Sequence, residues 1–306
     1  MNKTINEVYV EYLEFLKLNK KQTTIYKIQL QFKNHILPEL GNIKINELNK
    51  EVYINFLARI KNLGYNSSFY NQIQHIMAGL YDYLMLVYDV NNIVISVNKL
   101  FRQKEEKKVV NNTWNKKTFK KFIKKVDDPV YSCLFSTLFY TGIRKGEALA
   151  LQVKNLNNGF LTIEHTLTKE LFNGKRLLTP TKNGKIRVIK LDFFTNMQLK
   201  KLIKHYKLNY SSFNEDFFLF GAVKPIPCTT LERKKNYYCD LAQVKRIRIH
   251  DFRHSHATIL HKSNVKIKQI QERLGHSDVN TTLNTYVHIQ KSEEKRLIRK
   301  INLLRL

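Results

Sequence analysis

The sequence predicts a mostly α-helical chain with one small β-sheet or hairpin, arranged as a helical N-terminal domain followed by a mixed α+β domain. Three observations lead there. Apolar residues recur at three- and four-residue spacing through the first hundred positions. A charged stretch without periodicity, RQKEEKKVVNN at 102–112, interrupts them. Between 160 and 189 the pattern changes to short β-branched runs before helical spacing returns. The expected division is therefore 1–101, a linker at 102–112, and 113–306.

In the first domain Thr4-Ile5-Asn6-Glu7 reads as a capping box, opening a helix with Val8, Tyr12, Phe15 and Leu16 on one face. A second helix is expected from Thr23 or Thr24 and should end before Pro38. A third spans about Asn49 to Gly64, with Val52, Phe56, Leu57 and Ile60 in register. Ser67 is placed to cap a fourth, long helix carrying Ile73, Ile76, Leu80 and Leu84. Four such helices with short connections make a compact bundle, each stripe serving as core.

The second domain opens with a lysine-rich helix near 116–126, then an apolar helix from Pro129 to Tyr140, proline being well suited to a first turn. After Thr141-Gly142-Ile143-Arg144-Lys145-Gly146-Glu147 come strand-like runs at 160–164 and 176–178. Asn183-Gly184 then reads as a hairpin turn into a strand at 186–189, with Lys182 just before it. A helix at about 194–206 and a short strand at 217–220 follow. His250 and Arg253 sit three apart on one helix and so leave from one face. A further helix carries Val265, Ile267, Ile270 and Leu274 and is closed by Gly275 at a C-cap position, with His276 directly after it. Tyr286 lies on the next helical segment, and an apolar-striped tail around Leu297, Ile301 and Leu304 ends the chain.

Composition narrows the partner. The 306 residues hold 53 Lys+Arg against 25 Asp+Glu, a formal net charge of +28. Residues 1–104 hold 13 and 8 of these, the remainder 40 and 17, so the excess lies in the second domain. A charge of that size calls for a polyanion, nucleic acid before an anionic membrane surface. No apolar run approaches the about 18 to 20 residues of a spanning helix, no signal peptide is read at the start, and the tail is too short and mixed for a membrane-surface helix. Cys133, Cys228 and Cys239 form no C-x-x-C pair and no disulfide framework, which fits a reducing, cytoplasmic setting. Six histidines fall between His250 and His288, but without an H-E-x-x-H glutamate or paired cysteines they do not read as a zinc site, and no metal or other cofactor is expected.

Attack on a phosphodiester without a metal needs guanidinium groups to grip the non-bridging oxygens, a proton donor for the leaving oxygen, and a nucleophile. The sequence offers a residue for each role. Lys175, Lys185 and Lys190 lie near Lys182, so position alone does not single out the lysine.

H-x-x-R, then L-G-H, then a tyrosine ten residues on resembles the C-terminal signature of the tyrosine recombinases, the phage-integrase family. The resemblance is strong over about 115–290 and only of a general kind over 1–100, where four helices are similar to the family's core-binding, SAM-like DNA-binding domain. It implies that 113–306 is a catalytic domain with a C-terminal tail. It makes Arg144 and Arg253 the phosphate clamps, Glu147 a supporting carboxylate, Lys182 the general acid and His250 an aid to proton transfer. His276 would hydrogen-bond the scissile phosphate, and Tyr286 would be the nucleophile that forms a 3′-phosphotyrosyl link and frees a 5′ hydroxyl.

Double-stranded DNA is the implied partner, bound by four protomers on paired sites, with a directionality factor possible and neither ATP nor metal required. Many members carry an extra N-terminal domain for arm-type sites; with a helix expected from Thr4, that domain is either absent here or lies outside this sequence. Integration and excision of a mobile element is the first expectation, and Xer-type dimer resolution the second. A type IB topoisomerase shares the chemistry but not the whole motif set. From another class, a non-catalytic DNA-binding module would be favoured by a substituted nucleophile or arginine, and neither is seen.

Overall fold

The computed structural model describes residues 2–102, 112–168, 176–181 and 184–275. The chain divides into two compact units, Met1–Val109 and Val110–Leu306.

The first unit is helical: α1 (Ile5–Lys17), α2 (Gln22–Gln31), α3 (Leu37–Leu40), α4 (Lys50–Asn62), α5 (Ser67–Tyr88) and α6 (Ile93–Phe101). The capping box is present, with Glu7 Oε2 accepting from the Thr4 N–H at 2.7 Å. α2 ends at Gln31, before Pro38 as expected, but helical turns continue past it. The chain passes through a π-helical turn at Phe32–Ile36, in which the Leu37 N–H reaches back to the Phe32 carbonyl, and Pro38 falls in the first turn of α3, where its missing N–H costs nothing. The fourth helix is capped by Asn66, not Ser67, its Oδ1 accepting from the Phe69 N–H at 2.9 Å. The sequence reading also missed α6. Its run of β-branched residues hides a helix that Asn92 caps and that tucks Val94 and Val97 into the core. Asn98 holds it there, accepting from Tyr53 Oη at 2.8 Å and donating to the Gln74 carbonyl at 3.0 Å.

Among the described residues the second unit comprises α7 (Lys116–Ile123), α8 (Pro129–Thr141), α9 (Lys145–Ala150), five short strands, α10 (Phe193–Asn209), α11 (Cys228–Leu241), α12 (Ile249–Lys262) and α13 (Ile267–Leu274). Its core is organised around Phe252 on α12, whose ring lies 5.3–6.3 Å from those of Trp114, Phe119, Phe122, Phe135 and Phe139. One turn on, Ser255 Oγ accepts from the Trp114 N–H at 2.8 Å. One face of α12 is therefore fixed by aromatic packing. Truncating a ring such as Phe252 typically costs about 3–5 kcal/mol.

The strands differ from expectation. β1 (Leu156–Asn157), β2 (Phe160–Ile163) and β5 (Arg187–Lys190) form one antiparallel sheet in the order β1-β2-β5, while β3 (His165–Leu167) pairs with β4 (Leu178–Pro180). The strands flanking Asn183-Gly184 thus do not pair with each other. Both run antiparallel to the β2–β3 stretch, and the register steps from His165↔Pro180 to Ile163↔Arg187. β4 and β5 therefore lie in succession along the same partner stretch. Between them the Gly184 N–H donates to the Thr181 carbonyl at 2.9 Å and Thr181 Oγ1 to the Lys185 carbonyl at 2.8 Å. The 217–220 segment forms only isolated bridges, Gln152↔Phe218 and Phe218↔Ala222, because it turns back at Gly221. α11, unannounced by its polar sequence, precedes α12.

Candidate active site

Four of the residues singled out from sequence, Arg144, Glu147, His250 and Arg253, are described. Lys182, His276 and Tyr286 lie outside the described residues, as does the tail. α8 ends at Gly142, whose left-handed φ of 69° turns the chain and whose N–H donates to the Leu138 carbonyl at 3.1 Å. A Cβ there would stand 2.6 Å from Leu274 Cδ2 and 2.7 Å from His256 Cδ2, so this loop packs flush on α12 and α13. Arg253 from α12 is buried and donates through Nη1 to the Gly142 carbonyl at 2.9 Å.

Arg144, two residues after that glycine, caps α9. Its N–H donates to Glu147 Oε2 at 2.8 Å and its Nη1 to Oε1 at 2.8 Å, while Nη2 donates to the Gly275 carbonyl at 3.1 Å. The two arginines are therefore drawn to one loop, one through its carbonyl and one through its backbone. Gly146 lets α9 lie against β3; a Cβ there would meet Thr166 Oγ1 at 2.4 Å.

Glu147 is 1% exposed and carries a second guanidinium that the sequence reading did not single out. Arg187, at the start of β5, donates Nη1 to Oε1 at 3.1 Å and Nη2 to Oε2 at 2.6 Å, a bidentate fork. Burial alone would raise the carboxyl pKa. The hydrogen bonds and charge of Arg187, then the backbone N–H and charge of Arg144, outweigh burial and hold it at about 2.

His250 opens to solvent at the start of α12, its ring 4.8 Å from that of His254. Packing on its inner side, then the nearby His254, Arg253 and Arg144, push its pKa down, against a smaller opposing effect of Asp251. The imidazole is therefore neutral near neutral pH and offers a ring nitrogen as a hydrogen-bond acceptor. His256, by contrast, is buried and held neutral: burial first, then Arg273, lower its pKa to about 3. Its Nε2 accepts from Arg273 Nε at 3.2 Å, so it is a packing and hydrogen-bonding residue.

Arg273 was also missed. From the last turn of α13 it donates to the Lys190 carbonyl at 3.3 Å and the Tyr140 carbonyl at 3.2 Å, tying α13 to β5 and α8. No spacing rule could have separated Arg187 and Arg273 from the other cations, because their partners are 17 to 133 residues away. Gly275 has the predicted left-handed conformation, φ 69°, and ends α13 there. Among the described residues no group of three His, Cys, Asp or Glu side chains is placed to hold a metal ion, and no helix is long and apolar enough to cross a membrane.

Comparison with known proteins decides the family. The model of the phage integrase family matches residues 99–293, and that of a phage integrase N-terminal SAM-like domain matches residues 4–60. The chain belongs to the phage integrase family. Among its relatives, the ICEBs1 integrase of Bacillus subtilis (strain 168) is 29% identical over 243 residues, 70% of this chain and 65% of the relative. The integrase of Staphylococcus phage L54a is 27% identical over 174 residues, 54% of this chain and 49% of the relative. The chain spans about half to two thirds of the length of such curated relatives.

The fold matches solved integrases. The Tn1549 transposon integrase in complex with transposon right end DNA superposes with a TM-score of 0.74 at 18% identity, over 97% of this chain and 100% of that one. A lambda integrase dimer bound to a COC' core site gives 0.68 at 14% identity, over 93% and 77%. The mostly helical architecture with small sheets is thus the fold of this family.

Proposed function

We propose that this integrase-family chain is a site-specific DNA recombinase that cleaves and rejoins DNA through a 3′-phosphotyrosyl intermediate, integrating and excising a mobile element. The observation that carries the reading is the meeting of Arg144, Arg253 and His250, from motifs more than a hundred residues apart, around the Gly142 loop. Relatives named as the ICEBs1 integrase, a phage integrase and a transposon integrase support the choice of mobile element. Solved relatives bound to core-site DNA and, as a tetramer, to a Holliday junction support a DNA partner and a four-protomer assembly on paired sites.

In this reading residues 1–101 form the core-binding domain, 102–112 the linker and 113–306 the catalytic domain, acting in the cytoplasm. Arg144 and Arg253 grip the non-bridging oxygens, where planar forks stabilise the charge that builds up in the transition state. Tyr286 Oη attacks phosphorus while the P–O5′ bond breaks, Lys182 protonates the departing 5′ oxygen, and His276 hydrogen-bonds the phosphate. His250, kept neutral, assists removal of the tyrosine proton. Attack by a 5′ hydroxyl on the phosphotyrosine reverses the step, so the bond energy is conserved.

The test is covalent trapping on a nicked duplex taken from the DNA flanking the gene, without metal or ATP, comparing wild type with Tyr286→Phe. The expected result is a protein–DNA adduct in wild type and none in the variant. Tight, salt-sensitive binding without an adduct would instead favour a non-catalytic DNA-binding module.

A further inference from the structure

The hydrogen bonds of Arg187 reach two of the segments on which the proposed mechanism depends, and the residue itself follows the third. Its guanidinium forks onto Glu147, which in turn holds Arg144 by both backbone and side chain. Its Nε donates to the Arg273 carbonyl at 3.4 Å, in the last turn of α13. Gly275 rests on it, since a Cβ there would lie 3.1 Å from Arg187 Cδ, Nε and Nη1. Arg187 is also the first residue of β5, two residues after Lys185, whose carbonyl accepts from Thr181 Oγ1.

The charges sharpen the point. One buried carboxylate faces two guanidiniums. If Arg144 were its sole partner, Glu147 would hold that arginine as a neutral pair, turned inward. With Arg187 occupying both carboxylate oxygens, Arg144 needs to spend only Nη1 on Glu147 and Nη2 on the Gly275 carbonyl, and the cluster keeps a net positive charge for an anion.

We propose that Arg187 is a positioning residue for DNA cleavage: it neutralises Glu147 so that Arg144 can serve the phosphate, and it holds the end of α13, at Arg273 and Gly275, against the start of β5. The proposal rests on the recombinase reading above. It assigns Arg187 no contact with DNA.

The experiment compares wild type, Arg187→Met and Arg187→Lys as full chains on the same nicked flanking-DNA duplex. Three quantities are read for each: the single-turnover rate of adduct formation at saturating DNA, the dissociation constant for that DNA, and the thermal midpoint. The expected result for Arg187→Met is a cleavage rate lower by about 100-fold, the scale of a misplaced reactive group, with DNA affinity within about 3-fold of wild type. Arg187→Lys restores charge but not the fork and should recover part of the rate.

The rate–pH profile supplies a readout that a merely structural role would not move. Glu147 is faced by Arg144 from the start of α9 and Arg187 from β5, with His250 beside Arg144 and the Arg273 guanidinium turned away to His256. Without Arg187, burial is opposed by Arg144 alone and the carboxyl pKa rises. A new loss of rate toward acid pH should appear in Arg187→Met and be weaker in Arg187→Lys.

An unchanged rate in Arg187→Met overturns the proposal. So does a parallel fall of rate, affinity and thermal midpoint in both variants with no change in the pH profile, which would make Arg187 a structural residue only. Absence of an adduct in wild type would remove the recombinase reading and this proposal with it, whereas a wild-type adduct with an unimpaired variant removes this proposal alone.

Discussion

The two units of the chain handle polar groups in opposite ways. In the N-terminal unit the buried interior is apolar and aromatic, with Gln74 as the polar side chain within it, and the ion pairs lie outside. Glu14–Lys17 is typical, its side chains 66% and 56% exposed. Tyrosine hydroxyls do the tying, as Tyr81 does to the Leu48 carbonyl at 2.9 Å. The second unit buries Glu147, Lys235, Asp251, Arg253 and His256 at 6% exposure or less. Burying charge costs several kcal/mol per ion before pairing offsets it. Among the described residues the N-terminal unit thus keeps its charges at the surface, while the second unit gives up stability to bury several of them against hydrogen-bonding partners.

Breaking one ion pair in each unit should expose that contrast most strongly. Trp114 is the single tryptophan and lies in the core of the second unit, so its emission follows that unit specifically. Glu147→Ala removes the shared partner of two guanidiniums and should cost the second unit about 3–5 kcal/mol in denaturant unfolding followed by Trp114. Glu14→Ala, read by far-UV circular dichroism, should change the first unit by less than about 0.5 kcal/mol. Similar losses at the two sites would contradict the division of labour drawn here.

Two glycines with nearly the same backbone sharpen the comparison further. Gly64 after α4 has φ 73° and nothing within 4 Å of a would-be Cβ, while Gly142 has φ 69° and two side chains within 3 Å of one. Alanine at either pays the left-handed backbone cost of about 1–2 kcal/mol. At Gly142 overpacking adds about 1–3 kcal/mol, and the Gly142 carbonyl that anchors Arg253 must shift. Gly142→Ala should therefore lower both stability and adduct formation, and Gly64→Ala stability alone. Equal destabilisation by the two would mean that the loop between α8 and α9 yields more easily than its packing implies.

These contrasts also mark what could be read from sequence. The H-x-x-R pair, the Gly275 cap and the Arg144–Glu147 spacing are local patterns, set by three-residue helical neighbours or a single left-handed residue, and the structure places each where the pattern put it. The hairpin went wrong because Asn-Gly indicates a turn but not which strands pair. Pairing was decided by β2 and β3, twenty residues earlier, which accept β5 and β4 in succession. α6 and α11 were missed for opposite reasons, one being a β-branched run of weak helix propensity and the other too polar to show a clear apolar stripe. Arg187 and Arg273 were illegible because a buried cation is recognised by its partner, and their partners are brought in by the tertiary fold. Pro38 could be read as a stop, whereas the π-helical turn that absorbs it is a product of core packing around Phe32 and Ile36.

The gentlest probe of the comparison is pH. His256 has a folded pKa of about 3, below its ordinary 6.5, so the unfolded chain takes up its proton first as pH falls. Its contribution to stability is therefore complete above pH 6.5 and is lost progressively between 6.5 and about 3. His250 and His254 are lowered in the same direction and add to the slope. The shifted groups of the N-terminal unit are raised tyrosines, a raised Lys3, and the lowered carboxylates of Glu7 and Glu11, none of which changes protonation between pH 6.5 and 5. Trp114-detected stability should then fall by on the order of 1 kcal/mol per pH unit per buried histidine below 6.5. His256→Gln, which keeps an acceptor for Arg273 but cannot titrate, should flatten that slope by one group's worth. A slope unchanged in His256→Gln would mean that the imidazole is not held neutral by its burial and by Arg273, and that the second unit's sensitivity to acid lies with its carboxylates instead.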